Sequence, residues 1–293
     1  MPPQGLLNLN KPAGITSRRA VDGLQRLVRP TKVGHAGTLD PLATGVLVLC
    51  VGAATRLIEY VQQMPKRYSG RFLLGRESPT EDVEGEVSEL DSPPLPSLQQ
   101  IVSAAGKLTG RVQQRPPAYS ALKVAGRRAY DLARKGKHVE LEPRWITVHR
   151  LEVAAYDYPE LELDIECGSG TYVRSLGRDL AASLGTAAVM SGLVRTAIGR
   201  FKIEEAIRPE EITAASWTKH LLPPLCAVES LPRVELSVEE TARIRSGRTI
   251  ERRHLPVGPE EFAGIDTAGR LVAILVPRGP ALLGPKRVLP PED

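Results

Sequence analysis

Residues 34–46 read Gly-His-Ala-Gly-Thr-Leu-Asp-Pro-Leu-Ala-Thr-Gly-Val and offer one carboxylate, Asp40, from a glycine-rich loop. Gly34, Gly37 and Gly45 allow positive φ or a close backbone approach to a ligand. Pro41 steers Asp40 away from the α region toward an extended conformation. The run Val46-Leu47-Val48-Leu49-Cys50-Val51-Gly52 that follows is short and apolar, the pattern of a fully buried strand. A lone acid on a Gly/Pro loop against a buried strand is the arrangement of an active-site loop. The same residue types also punctuate ordinary turns, so both readings stand on these residues alone.

A second constellation lies at 161–184, where an alternating strand (Leu161, Leu163, Ile165, Cys167) runs through Gly168-Ser169-Gly170 into a helix at Thr171–Leu184. It lacks the Gly-Lys-[Ser/Thr] of a P-loop and the third glycine of a dinucleotide fingerprint. Its useful content is Tyr172 and Arg174 at the helix start, where an arginine can grip a carboxylate from another loop bidentately. The alternative for Arg174 is a surface position, solvated or paired with Asp179.

The elements that position these groups form an α+β series. Leu6–Leu9 reads as a strand and residues 10–14 as a turn. Thr16 or Ser17 then caps a helix with Val21, Leu24, Leu27 and Val28 on one face. After strand 46–51, residues 53–63 read as helical, Tyr68–Leu74 as a strand, 83–87 as an acidic strand or turn, and 91–97 as a loop. Leu98–Leu108 is amphipathic through Ile101, Val102, Ala105 and Leu108. Beyond Arg115-Pro116-Pro117, Ser120–Arg134 reads as a helix with Leu122, Ala125, Ala129 and Leu132 inward. Residues 146–156 read as another strand. A proline-bearing stretch at 221–232 places a domain boundary near 230, and residues 233–293 carry short strands and no long helix.

Charge is unevenly spread along the 293 residues, which carry a net +5. Segment 107–137 holds nine basic residues against one acid, Asp131, a net +8, so the remainder is net −3. Residues 77–91 hold seven acids and no base. Tyr119 and Tyr130 interleave the basic block, which suits a phosphate backbone with bases available for stacking. A solvated helix face is the blander reading, but acids placed for i,i+4 pairing are nearly missing there.

Several classes are excluded by composition. At 42% hydrophobic and 25% charged residues the chain is of globular type. No apolar run nears the ~20 residues of a membrane span, and the N-terminus lacks a signal-peptide pattern, so a cytoplasmic protein is expected. Three scattered cysteines (Cys50, Cys167, Cys226) and five histidines without metal-ligand spacing point to no disulfide framework, no metal and no cofactor.

Taken in order, the motifs resemble the TruB-type tRNA pseudouridine synthases. The resemblance runs from about residue 5 to 201, through Asn8–Ser17, Gly34–Leu47, Lys66-Arg67-Tyr68, Gly75 with Ser78, Thr80, Asp82 and Gly85, Arg115–Lys123, Gly168–Arg174, and Leu193-Val194-Arg195-Thr196 with Gly199 and Phe201. The family more often has Thr where Ser78 stands, and Ala36 varies within the Asp40 motif.

That resemblance implies a mixed, largely antiparallel sheet flanked by helices, with a small β-rich, PUA-like domain at the C-terminus. It divides the chain into a catalytic domain, 1–229, with a basic thumb-like RNA-binding insertion at 107–140, and an RNA-binding domain, 230–293. The implied reaction converts the T-loop uridine (U55) of tRNA to pseudouridine after base flipping. Asp40 is then the essential carboxylate, acting as nucleophile toward sugar or base, or as the base that removes the ribose 2′ hydrogen. Tyr68 packs on the target base, Arg174 pairs with Asp40, and Leu193 walls the pocket. His35 lies near the flipped nucleotide, and Lys11 supports the Asp40 loop or the RNA backbone. Tyr172, Lys123, Arg127, Arg128, Arg134 and Lys135 are further RNA contacts. The expected partner is tRNA, through its T stem-loop and, via the C-terminal domain, its acceptor stem, with no membrane and no obligatory protein partner. A guide-RNA-dependent relative of the dyskerin type and a non-catalytic tRNA-binding or folding module are the alternatives.

Overall fold

A computed structural model describes residues 3–119, 123–124, 127–128, 141–251 and 258–291. The chain divides into two compact units, one of residues 1–41, 46–62 and 200–293, the other of residues 42–45 and 63–199.

In the first unit, strands β1 (Gly5–Lys11) and β3 (Thr44–Val51) are neighbours, and β2 (Val33–His35) pairs antiparallel with β3. β3 is buried from Gly45 through Val51, as its unbroken apolar run requires. Helix α1 (Ser17–Leu27) begins at Thr16, whose hydroxyl accepts from the Arg19 N–H at 3.1 Å, so Thr16 is the N-cap. Its inner face, Ala20, Val21 and Leu24 with Val28 just beyond, joins Leu7, Leu9, Leu47, Leu49, Val51, Ile212 and Trp217 in one core cluster. Leu27 is exposed, contrary to the expected face, because Val28, four residues past Leu24, takes the buried place.

A separate five-stranded sheet closes this unit. Its order is Arg233–Glu235, Phe262–Ile265, Leu271–Pro277, Leu282–Val288 and Ile250–Glu251, with a helix at Val238–Arg245. Phe262, Val272, Leu275, Leu283, Leu236 and Ile244 form its core. A β-rich C-terminal half-barrel of this kind is consistent with a PUA-like domain. Glu59 of helix α2 (Ile58–Gln63), at 2.6 Å from Arg287 and 3.8 Å from Lys286, ties the sheet to that helix, and Lys286 also pairs with Glu261.

The second unit is built on a sheet ordered β8 (Ala188–Ile198), β4 (Lys66–Leu74), β7 (Glu160–Cys167), β6 (Arg144–Asp157) and β5 (Gly110–Gln114), every neighbour antiparallel. Thr44 and Gly45 add one parallel pairing, opposite Val194 and Arg195. The sheet is therefore mixed and largely antiparallel, as expected. β7 alternates as read, with Leu161, Leu163, Ile165 and Cys167 buried.

Two helices, α3 (Leu98–Lys107) and α4 (Val173–Ser183), pack on this sheet. Val102 is exposed rather than inward, since Ile101, Ala104 and Ala105 define the buried stripe and Val102 sits about 100° off it. Residues 123–124 and 127–128 form a two-stranded antiparallel pair, which replaces the expected helix over 120–134 at these positions. Two of the four inward positions of the helical pattern are alanines, which bury little, and a glycine at 126 lowers helix propensity. Leu122, Ala125, Ala129 and Leu132 lie outside the described residues.

α4 approaches β4 closely enough that a Cβ on Gly177 would sit 2.1 Å from a Phe72 ring carbon. Gly177→Ala is expected to destabilise the protein by about 1–3 kcal/mol through overpacking, read as a lowered denaturant midpoint at unchanged m. Lys66 opens β4 in a buried position, and burial, reinforced by the positive charge of Arg195, pushes its amine down from 10.5 to about 8. Between those values the unfolded chain holds more protons, so native stability rises with pH across this window. The stability difference between wild type and Lys66→Met should therefore shift toward wild type between pH 7 and pH 10, by up to about 2 kcal/mol in denaturant titrations.

Candidate active site

Asp40 is half-buried between two pinned neighbours, all within the first unit. On one side, Leu39 is buried and both of its backbone groups bond the Ser17 hydroxyl: the Leu39 N–H donates to Oγ at 2.8 Å, and Oγ–H donates to the Leu39 carbonyl at 3.0 Å. On the other side, the Pro41 carbonyl accepts from the Gly14 N–H at 2.9 Å and from Lys11 Nζ at 3.3 Å. Lys11 is fully buried and also donates to the carbonyls of Pro12 (2.9 Å) and Ile15 (2.7 Å). Its ammonium thus organises the turn at residues 12–15 and the exit from Asp40 together.

The loop glycines have separate reasons. Gly37 (φ +112°) and Gly45 (φ +96°) occupy the left-handed region, and a Cβ on Gly45 would lie 2.3 Å from the Arg195 carbonyl oxygen. Gly34 has an ordinary φ; a Cβ there would meet Ile58 Cδ1 at 2.7 Å, so it serves close packing. His35 is half-buried on β2 opposite Leu49.

In the second unit, Tyr68 sits half-buried on β4, between Ile165 of β7 and Arg195 of β8 in register. Leu193 is buried on β8 opposite Gly70. Arg174 is not a surface residue: its side chain is 7% exposed and meets an Asp82 carboxylate, 5% exposed, at 3.3 Å. It also donates to the carbonyls of Thr80 (2.7 Å) and Tyr119 (3.1 Å). Asp82 in turn accepts from the Thr80 hydroxyl at 2.6 Å and the Glu84 N–H at 3.1 Å. The alternative pairing of Arg174 with Asp179 is overturned, since Arg178 binds Asp179 at 2.7 Å and Arg174 is held by Asp82.

Beside this pair, Glu81 accepts from the Ser175 hydroxyl at 2.7 Å and pairs with Arg178. Burial pushes the Glu81 carboxyl above its usual range, which Arg178 and Ser175 partly offset. Two members of the acidic segment 77–91 therefore face inward as counter-charges for helix α4. Acidic density marks the segment in the sequence, but nothing there separates the buried acids from the solvated ones.

Tyr172 precedes α4, and its backbone is bracketed by the Gln114 amide, which donates to the Tyr172 carbonyl at 3.0 Å and accepts from its N–H at 2.8 Å. The Arg144 guanidinium lies 4.9 Å over the Tyr172 ring and donates to the Gly170 carbonyl. Buried Gln114 carries no motif signal, and a sequence reading passes over it. Lys123, Arg127 and Arg128 lie on the short antiparallel pair, Lys123 opposite Arg128. Arg134 and Lys135 lie outside the described residues. Among the described residues no group of three or more His, Cys, Asp or Glu could hold a metal ion, and no helix is long and apolar enough to cross a membrane.

What these residues offer chemically is a half-buried carboxylate in the first unit and, in the second, a half-buried tyrosine and a buried arginine. Comparison with known proteins gives that chemistry a context. Residues 25–173 match the model of the TruB family pseudouridylate synthase N-terminal domain. The chain is 41% identical over 270 residues to tRNA pseudouridine synthase B of Caulobacter sp. (strain K31), covering 90% of this chain and 86% of that one. It is 38% identical over 288 residues to tRNA pseudouridine synthase B of Dehalococcoides mccartyi (strain ATCC BAA-2266 / KCTC 15142 / 195), covering 97% and 96%. Among solved structures it resembles a chain of a Cbf5–Nop10–Gar1 complex, with a TM-score of 0.75 and 25% identity over 98% of this chain and 85% of that one. The long series of ordered motifs and the mixed sheet thus have one explanation: the chain belongs to the TruB family of pseudouridylate synthases.

Proposed function

We propose that the protein is a stand-alone tRNA pseudouridine synthase, an isomerase that converts the T-loop uridine at position 55 to pseudouridine. The observation that carries this reading is Asp40, set in the family's loop and held through the backbone of both neighbouring residues. Relatives named tRNA pseudouridine synthase B, at 38–41% identity over most of the chain, support tRNA as substrate.

The reaction needs no net redox change: the N1–C1′ bond breaks, uracil turns in place, C5 bonds to C1′, and the C5 proton is lost as N1 gains one. Asp40 supplies the carboxylate on which this sequence depends. Arg174 is the arginine that the family resemblance assigns to the catalytic carboxylate, Tyr68 packs on the target base, and Leu193 walls the pocket. His35 and Tyr172 lie along the RNA path. A stacked uridine must first be extruded, at a cost of a few kcal/mol. Phosphate contacts from Lys123, Arg127, Arg128, Arg134 and Lys135, in a thumb-like insertion at 107–140, offset that cost and set register. The catalytic domain is residues 1–229, and the PUA-like domain, 230–293, touches the acceptor stem. The enzyme works in the cytoplasm, without an obligatory protein partner.

Purified protein incubated alone with unmodified tRNA transcript should form pseudouridine at the T-loop uridine, and Asp40→Asn should lower the rate on the order of 10³-fold or more while tRNA binding persists. Product that forms solely after guide RNA and partner proteins are added would favour the guide-dependent class. Stable binding without product under any condition would leave a tRNA-folding module. Replacing Arg127, Arg128 and Arg134 with alanine should weaken binding to all tRNAs alike and flatten the plot of log Kd against log salt, by about 0.7–0.9 for each phosphate no longer neutralised. An unchanged slope in a binding titration would remove this segment from the interface.

A further inference from the structure

A division of labour at the start of helix α1 leaves one buried hydroxyl for a task other than helix capping. Thr16 is the N-cap and its side chain accepts the Arg19 N–H. Ser17, the first helical residue, is 2% exposed, and its hydroxyl turns instead to a residue 22 positions away in sequence, bonding the N–H and the carbonyl of Leu39 at 2.8 and 3.0 Å. A serine hydroxyl has one hydrogen to donate and two lone pairs to accept with, so donating to the carbonyl while accepting from the N–H engages both polar groups of one residue.

The Leu39 carbonyl belongs to the peptide that joins Leu39 to Asp40. Holding its oxygen fixes the plane from which the Asp40 Cα departs, and the buried Leu39 side chain keeps that plane from sliding. Beyond Asp40, the Pro41 carbonyl is held by Lys11 and Gly14. The carboxylate therefore stands between two anchored peptides, and the Leu39 anchor is a single hydroxyl. A reacting group displaced by about 1 Å loses on the order of 10² in rate.

We infer that Ser17 is a positioning residue for Asp40: its hydroxyl sets the loop geometry in which the carboxylate reacts. The inference rests on the reading of Asp40 as the essential carboxylate. Ser17 acts through the backbone and touches no reacting atom, so its removal shows in the chemical step and leaves substrate binding intact.

The test compares Ser17→Ala, Ser17→Thr and Thr16→Ala with wild type in single-turnover assays at saturating unmodified tRNA, alongside tRNA Kd and thermal midpoint. Ser17→Ala is expected to slow the saturated rate about 10- to 100-fold with Kd within about twofold of wild type. Ser17→Thr, which keeps the hydroxyl, should recover most of the rate. Thr16→Ala weakens the same helix start without touching the Leu39 bonds, and so should lower the thermal midpoint while leaving the rate near wild type. If Ser17→Ala fails to fold, Ser17→Cys, near in size but a weak hydrogen-bonding group, is read in its place, with the same loss expected. A wild-type rate in the folded Ala or Cys variant overturns the inference, as does a loss matched by Thr16→Ala. Asp40→Asn run in parallel separates the two failures: if it remains active the reading of Asp40 falls, and if it is inactive while Ser17→Ala is not, the role of Ser17 falls alone.

Discussion

The backbone groups of Leu39, beside Asp40, are buried and have to be satisfied by something other than water, and the anchoring of the Asp40 loop follows from that requirement. A residue on a regular strand would find its partners in the ladder. Leu39 and Pro41 lie in a loop, so side chains and a turn supply them: Ser17 for Leu39, Lys11 and the Gly14 N–H for Pro41. This explains why a lysine can sit fully buried at the end of β1, since carbonyl oxygens of Pro12, Ile15 and Pro41 replace its water. It also explains why β1, the 12–15 turn, the start of α1 and the Asp40 loop form one assembly. The apolar core under α1 holds that assembly in place.

A comparable constraint governs the second unit in charge rather than in backbone. Arg174 and Arg178 sit on the first turns of α4, and two acids of a surface-like segment, Asp82 and Glu81, turn inward to meet them. Buried pairs of this kind contribute little net stability beside an apolar substitute, but losing one partner leaves a stranded charge. Their value lies in register. The Arg174 guanidinium bonds the carbonyls of Thr80 and Tyr119 as well as Asp82, which joins the 78–84 turn, the chain entering the basic segment and α4 at one planar group. Arginine suits that position because its donors form a rigid fork, which a lysine lacks.

Much of the scaffold is legible in residue order. The unbroken apolar run at 46–51, the alternation at 161–167 and the Thr16 cap each announce their elements through local rules that tertiary contacts do not override. The failures share a cause. Hydropathy assigns Leu27 and Val102 to buried faces, yet each lies beside the stripe that packing selects. A helix over 120–134 rests on helical spacing of two leucines and two alanines, a local pattern that the antiparallel pairing of 123–124 with 127–128 outweighs at those positions. The long strand Ala188–Ile198 escapes a reading by pattern because successive residues are buried along most of it, which hides the alternation of a half-exposed strand.

Chain order alone determined the family-specific motifs and the carboxylate they display, because glycine, proline and a short apolar run act on the backbone within a few residues. It also determined that positive charge would gather in 107–137, since composition needs no fold to be counted. Tertiary structure decided which groups hold those motifs in place. Ser17 meets Leu39 across 22 residues, Gln114 meets Tyr172 across 58, and the Thr80 carbonyl meets Arg174 across 94. Such partners follow no periodicity. They are chosen by which buried donors and acceptors come within hydrogen-bonding distance once the sheet has formed, and water is no longer there to take either side.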